Sequence, residues 1–458
     1  MKVKRVCIEN FKCFKSVDIE LGKLTLLTGA NSSGKSSILY SILGPLQSGE
    51  FPFQFSPNGK YVSMGNFQEI SYKHLRENII KIGFNIVDES ERHIKIFTYW
   101  EEDKLRKLPN LTKLQLETGR YNLEITKKRK YTLNYRFSLE KEFKGDVFDL
   151  NEAMLELFSL FRGMTIKVEG NGKDINDHDL ERRFNKLKKV KKSVTFKFES
   201  FDELRKLSLY KGDLLLSSRI AFLSALCERL DNKINFISSF RLYPERTYYE
   251  KSKTDLTVGK FGEGYENQII SWETKNSKKY KELIKIMKDL SLLVDISSKR
   301  LDGGRFELLV KVNRDSVPAS LNDVGFGISQ FLPIVVADLQ LGDGSTLFVA
   351  QPEIHLHPSV QAEFGNYMVN QIKESDKNYI IETHSEYLLN RIRLAIVKKE
   401  VTHQDVKVYY LQNDGEDTQT HQLEFTTDGQ ILNAPEDFFK TYMMDVMNIA
   451  VNANSNGE

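Results

Sequence analysis

Leu24-Thr25-Leu26-Leu27-Thr28-Gly29-Ala30-Asn31-Ser32-Ser33-Gly34-Lys35-Ser36-Ser37-Ile38-Leu39-Tyr40-Ser41-Ile42-Leu43 is the stretch that decides the fold. It reads as a compact apolar strand, a glycine-rich turn, and a helix over 35–43 that Gly44-Pro45 stops. Gly29-x-x-x-x-Gly34-Lys35-Ser36 fits the P-loop pattern at every fixed position. The glycines let backbone N–H groups turn toward phosphate oxygens, and the helix N-terminus adds its dipole. The lysine reaches the outer phosphates, and the serine hydroxyl can ligate Mg²⁺. The expected phosphate-binding set is therefore Gly29, Ala30, Asn31, Ser32, Ser33, Gly34, Lys35, Ser36 and Ser37, with Ser36 as metal ligand. A chance glycine-rich turn would not explain the strand before it and the helix after it.

Working outward, the 458 residues allow two to four domains at ~100–200 residues each. Hydrophobic residues at 40% and charged residues at 28% fit a globular chain rather than a disordered one. A net charge of +3 is too small to argue for nucleic acid by itself. Cys7, Cys13 and Cys227 form neither a metal knuckle nor a disulfide framework, which suits a reducing cytoplasm. The N-terminus lacks a signal-peptide apolar stretch, and no apolar run reaches ~18 residues. The expectation is a cytoplasmic protein with no membrane partner.

β-like stretches rich in Tyr, Phe, Ile and Thr run through 79–139, followed by a charged helical pattern over 151–192 and an amphipathic helix over 213–230. The last third alternates strands (306–312, 346–350, 379–382, 406–411) with helices (330–339, 360–372, 387–397), which implies a mainly parallel sheet covered on both faces. Gly325-Phe326-Gly327-Ile328-Ser329-Gln330 opens one of those helices, with Ser329 as expected N-cap and Pro333 in the first turn. Its free N–H groups make a second anion site.

These motifs resemble the signature, D-loop and switch segments of the SMC/RecF/OLD-like ABC ATPases. The resemblance rests on Gly325-Phe326-Gly327-Ile328-Ser329-Gln330-Phe331-Leu332-Pro333, on Pro352-Glu353-Ile354-His355-Leu356-His357-Pro358 and on Ile381-Glu382-Thr383-His384-Ser385. Ile8-Glu9-Asn10-Phe11-Lys12-Cys13-Phe14 resembles the family's N-terminal strand, and the likeness covers about residues 1–70 and 235–445. It implies an α/β ABC-type P-loop NTPase head with a mixed, mainly parallel sheet, interrupted by an inserted α/β or helical region. The head comprises residues 1–105 and 231–458, and the insert residues 106–230, with partner or DNA contacts. It also implies ATP and Mg²⁺ as ligands. In the family, the signature of one head closes on the γ-phosphate held by the P-loop of another, which makes Gly325, Gly327, Ser329 and Gln330 nucleotide-binding residues. Gln68 falls where the family has its Q-loop, as a γ-phosphate sensor and Mg²⁺ contact. His384 corresponds to the switch histidine. His355 and His357 could also be read as a metal pair, but no third ligand except Glu353 lies near in sequence.

One position departs from the family. Ala350 stands where relatives place the acidic residue that holds Mg²⁺ through water, and Gln351 where an acid often polarises the attacking water. Three readings stay open: an acid-to-alanine replacement that traps ATP, an ATP-binding switch without turnover, or substitution by Glu353. The first is preferred, so ATP is expected to bind and to be hydrolysed slowly.

The resemblance implies an ATP-gated homodimer of heads, or a higher homo-oligomer, controlling a separately encoded effector. A nuclease effector is the expectation, by likeness to stand-alone ATPases of anti-phage systems such as Septu and PARIS. A RecF-like DNA-repair clamp and a non-hydrolysing ATP-bound scaffold are the alternatives. The basic clusters at 127–130 and 186–192 allow DNA binding, although a solvated helix face is the commoner meaning.

Overall fold

The computed structural model describes residues 2–87, 93–118, 121–129, 132–139, 194–197, 233–252, 257–415, 417–435 and 438. The helical expectations at 151–192 and 213–230, the basic run 186–192 and Cys227 lie outside these residues. The chain divides into two compact units. One comprises residues 1–19 and 40–232, the other residues 20–39 and 233–458.

The first unit is built on an antiparallel sheet. Strands β1 (Lys2–Phe11), β2 (Phe14–Glu20), β4 (Ile80–Val87), β5 (His93–Glu102), β6 (Pro109–Thr118), β7 (Tyr121–Arg129), β8 (Thr132–Leu139) and β9 (Val194–Lys197) lie in the order β2-β1-β4-β5-β6-β7-β8-β9. In β5 apolar and polar residues alternate, so that Ile94, Ile96, Thr98 and Trp100 are buried on one face. The Trp100 indole N–H donates to Thr98 Oγ1 at 2.8 Å, and that hydroxyl donates to the Ile82 carbonyl at 3.0 Å. The buried polar atoms of this strand are thus satisfied from within the sheet.

The second unit has a seven-stranded sheet. Strands β3 (Leu24–Gly29), β10 (Ile234–Ile237), β15 (Thr346–Ala350), β16 (Asn378–Glu382), β17 (Val406–Asn413), β18 (Thr418–Phe425) and β19 (Ile431–Leu432) take the order β10-β15-β16-β3-β17-β18-β19. The first five are parallel, and β18 and β19 add antiparallel. Every residue of β3 is buried, as a central strand covered on both faces requires. Burial of Leu24, Leu26 and Leu27 stabilises the fold by about 1.5–3 kcal/mol each. A smaller antiparallel sheet of β11 (Tyr248–Tyr249), β12 (Asp295–Leu301), β13 (Arg305–Lys311) and β14 (Ala319–Ser320) completes this unit's strands.

Among the described residues the α-helices are α1 (Lys35–Leu46), α2 (Phe67–Ile70), α3 (Tyr265–Thr274), α4 (Lys278–Asp289), α5 (Phe326–Gln340), α6 (Pro358–Glu374) and α7 (Glu386–Val397). Helix α5 is buried on all sides from Ile328 through Leu339 and packs on β10 and β15, with α3 and α4 against it. Helices α6 and α7 pack on each other. Among the described residues no helix is long and apolar enough to cross a membrane.

Three local expectations are corrected. Gly44-Pro45 does not stop α1, which continues to Leu46 because buried Leu43 and Leu46 hold its last turn. Ser329 is not the cap of α5: the helix begins at Phe326 with Gly325 as N-cap, and Ser329 Oγ donates to the Phe326 carbonyl at 2.9 Å. Pro333 is therefore interior rather than in the first turn. An interior proline costs ~3 kcal/mol or more, and burial of α5 from Ile328 through Leu339 outweighs that.

Candidate functional site

The P-loop follows directly from the backbone. Gly29, Ser32 and Gly34 take φ of 136°, 60° and 95°. At Gly29 a β-carbon would meet the Leu411 carbonyl oxygen of β17 at 2.1 Å, so only glycine fits. Ala30, Asn31 and Ser32 are exposed, while Ser33 and Lys35 are buried. The Lys35 ammonium donates to the carbonyls of Ala30 at 2.6 Å and Gly29 at 3.1 Å. Burial lowers its pKa, and the charges of Glu382 and Glu353 oppose that shift. Ser36 and Ser37 are half-buried in the first turn of α1.

The tips of β15 and β16 meet this loop. Ala350 is in register with Glu382, which is in turn in register with Leu27 of β3. Ser36 Oγ donates to the Glu382 carboxylate, at 2.8 Å to Oε2 and 3.1 Å to Oε1. Burial raises the pKa of Glu382, the Ser36 bond and the Lys35 charge lower it, and Glu353 raises it further. Beyond the strands, the Gln351 N–H donates to the Glu382 carbonyl at 2.7 Å, and Gln351 adopts the left-handed φ of 46°. Glu353 accepts from Thr383 Oγ1 at 2.9 Å and from the His384 N–H at 2.6 Å. The two tips are thus cross-bonded three times.

Arg241 fastens the same turn from β10's side. Its Nη2 donates to the Gln351 carbonyl at 2.9 Å. The residue is only 3% exposed, and its Nε and Nη1 have no hydrogen-bond partner among the described residues. Burial pushes the guanidinium down to about 10, with Glu353 opposing. His384 stands exposed at the end of β16. Local desolvation and then the Lys35 charge hold its imidazole below its ordinary pKa, so the ring is neutral at neutral pH. Ser385 caps α7 by accepting from the Leu388 N–H.

The expected signature lies against the turn that follows Gln351. A β-carbon on Gly327 would sit 2.8 Å from the His355 carbonyl oxygen, and the Phe326 ring packs on the rings of His355 and Tyr243. Ser329 and Gln330 are buried, and the Gln330 amide donates to the Leu242 carbonyl at 3.1 Å. Gly325 is exposed and open. His357 is the N-cap of α6, and among the described residues no group of three or more His, Cys, Asp or Glu side chains gathers as metal ligands. Gln68 belongs to the other unit, where its side-chain oxygen accepts two bonds from Arg76 at 2.9 and 3.0 Å.

The structure therefore brings Lys35, Ser36, Ala350, Gln351, Glu353 and the His384 backbone into one bonded assembly. Glu382 and Arg241 join it: sequence reading gave Glu382 no role, and left Arg241, within Phe240-Arg241-Leu242-Tyr243-Pro244-Glu245-Arg246, open between a family segment near the nucleotide and a strand end with surface arginines, whereas Arg241 is buried. The available signal for Glu382 was a carboxylate ending an otherwise apolar strand.

A family described as AAA ATPase domain (AAA_15) matches residues 1–389. Comparison with curated proteins finds no match. Among solved structures, the chain is similar to the SMC head domain from Thermotoga maritima, at 9% identity and TM-score 0.38, covering 92% of this chain and 98% of that one. It is also similar to an SmcHead bound to the C-winged helix domain of ScpA, at 12% identity and TM-score 0.39, covering 93% and 98%. A third, the Smc head domain with an extended coiled coil bound to the C-terminal domain of ScpA derived from Pyrococcus furiosus, has 11% identity and TM-score 0.37, covering 98% and 99%. With the family match spanning most of its length and a complete P-loop within it, the chain belongs to the AAA ATPase domain family.

Proposed function

We propose that this chain is an ATP-binding switch: two copies close around ATP·Mg²⁺ and thereby control a separately encoded effector, a nuclease in bacterial anti-phage defence. The stretch 106–230 carries the partner contacts. The observation that carries the switch reading is the pairing of an intact phosphate cradle with a strand tip that lacks its acid. Lys35 and Ser36 are in place, while Ala350, in register with the Glu382 that accepts from Ser36, presents only a methyl group.

The residues fit Mg²⁺. Ser36 offers a hydroxyl oxygen with carboxylate oxygens next to it, and Mg²⁺ takes oxygen donors from one or two carboxylates together with substrate phosphates. Bound there, the ion would neutralise phosphate charge. The protein's own part is positional. Lys35 neutralises the outer phosphates. Gln351, fixed by Glu382 and Arg241, can orient a water but is a poor proton acceptor. Glu353 accepts one bond at each oxygen, from Thr383 and the His384 N–H, which makes it the group that ties the switch segment to the strand tip. Slow hydrolysis follows.

Gly327 supplies the test of closure. Gly327→Ala must displace the 351–357 turn, because its new methyl group would lie 2.8 Å from a backbone oxygen. The expected outcome is unchanged ATP binding with ATP-dependent dimerisation weakened about tenfold, or roughly 1.4 kcal/mol, read by sedimentation with ATP and with ADP. An oligomeric state indifferent to ATP in the unaltered chain would sink the switch reading. Salt-sensitive, ATP-dependent DNA binding without an associated nuclease would favour a DNA clamp.

A further inference from the structure

Glu382 ends the strand that lies between β15 and β3. Its neighbours at the same level are Ala350 on one side and Leu27, two residues before the P-loop begins, on the other. Residues paired across parallel strands project from the same face of the sheet. A carboxylate ending β16 therefore reaches the region that a carboxylate ending β15 would reach, displaced by one strand spacing of ≈ 4.8 Å. It also touches the one P-loop side chain suited to a metal, the Ser36 hydroxyl.

We propose that Glu382 is the carboxylate that holds nucleotide-bound Mg²⁺ in this chain, with Ser36, in the task position 350 cannot perform. This rests on the nucleotide reading above. Three observations carry it. First, the single Ser36 proton is shared between Oε1 and Oε2, and among the described residues no other group is seen to donate to this carboxylate. An ionised carboxylate accepts about four bonds, so Glu382 keeps capacity for a metal ion or its waters. Second, the other carboxylate of the assembly is more heavily engaged and turned to another segment: Glu353 accepts two separate donors, Thr383 Oγ1 and the His384 N–H, whereas Glu382 accepts only the Ser36 proton and does so from the P-loop itself. Third, Glu382 is held firmly: its own carbonyl is tied to the Gln351 N–H, and its strand is paired on both sides. Its place therefore does not depend on a mobile loop. The metal-binding acid has moved one strand over, from β15 to β16.

The test is made on the full chain with a fluorescent ATP analogue, titrated with and without Mg²⁺, and with Mn²⁺ binding followed by electron paramagnetic resonance. In Glu382→Gln the amide oxygen still accepts from Ser36, so a purely structural role would leave metal dependence intact. The expected result is at least an about tenfold loss of the Mg²⁺-dependent gain in affinity and of Mn²⁺ binding, in the range usual for lost support of a metal site. Metal-free ATP should bind equally well or tighter, because a negative charge near the phosphates has gone; that also reports a folded cradle. Adding Ala350→Glu to Glu382→Gln should restore the metal-dependent gain. A wild-type ratio of affinities with and without Mg²⁺ in Glu382→Gln overturns the proposal. Where that variant does not fold, Glu382→Asp, which keeps the charge but withdraws it by one methylene, decides by the same ratio. An unaltered chain that binds no ATP under either condition overturns the nucleotide reading itself.

Discussion

Replacing Ala350 with glutamate sets a second carboxylate beside Glu382, so that one of the two can hold the metal while the other accepts a proton, and raises steady-state ATP turnover by about 10²-fold or more. The unaltered chain is expected to retain ATP with little release of phosphate. The new side chain projects beside Glu382, on the same face of the sheet and next to the backbone-anchored Gln351. Two adjacent carboxylates raise each other's pKa. The pair would therefore hold one group ready to accept a proton near neutral pH, and turnover in the variant should fall on acidification at a higher pH than an isolated carboxylate would give. Nucleotide retention and phosphate release, measured side by side, check this. Equal hydrolysis by both chains would place the acid elsewhere. Binding without hydrolysis in both would favour a scaffold that uses ATP as a structural ligand.

The second large effect is on stability. Asp338 lies fully buried in α5 and is the hub of a polar cluster. It accepts from the Tyr367 hydroxyl, from the Tyr379 hydroxyl at 2.9 Å and from the Lys377 ammonium at 3.0 Å, while Lys377 also donates to its carbonyl at 2.7 Å. Burial first, then Asp338 itself, raises both tyrosine pKa values, so both phenols are protonated donors at any pH where the protein is studied. Asp338→Ala takes the carboxylate from three buried donors at once, leaving Lys377 only the backbone carbonyl of residue 338 and Tyr379 only the Gln371 side-chain oxygen at 3.3 Å. Breaking a buried pair by removing one partner costs about 3–5 kcal/mol, and urea unfolding should show a loss of that size in the second unit. Asp338→Asn keeps acceptors for the phenols and should lose less. A change under about 1 kcal/mol would mean the cluster relaxes or admits water.

The nucleotide cradle was legible because it is local: strand, turn and helix are consecutive, from Leu24 to Leu46, and Gly29 and Gly34 each have a backbone reason to be there. The parallel sheet was legible from the alternation of apolar runs with helical periodicity in the last third. What failed was whatever depends on burial. Pro45 and Pro333 read as helix boundaries because local rules punish an interior proline, yet α1 and α5 are held by the core around them. Ser329 read as a cap by residue type, and it is buried one turn inside its helix. Glu382 went unread for a different reason. Its significance lies in the register of three strands that come from opposite ends of the chain, and no window of sequence contains that pairing.

The close approach of Gly29 to Leu411 also bears on how the protein is made. The first strand of the parallel sheet to leave the ribosome, β3, is its central one, and its neighbours β16 and β17 begin only at Asn378 and Val406. At ~5–20 residues per second, the apolar segment Leu24–Gly29 waits tens of seconds for both flanking strands. Until then ATP has no finished cradle to bind, and an apolar edge is open to mispairing. Nascent chains stalled before residue 378 should therefore be unable to retain nucleotide and should depend on chaperones, whereas release of the β17 segment should confer both nucleotide retention and protease resistance.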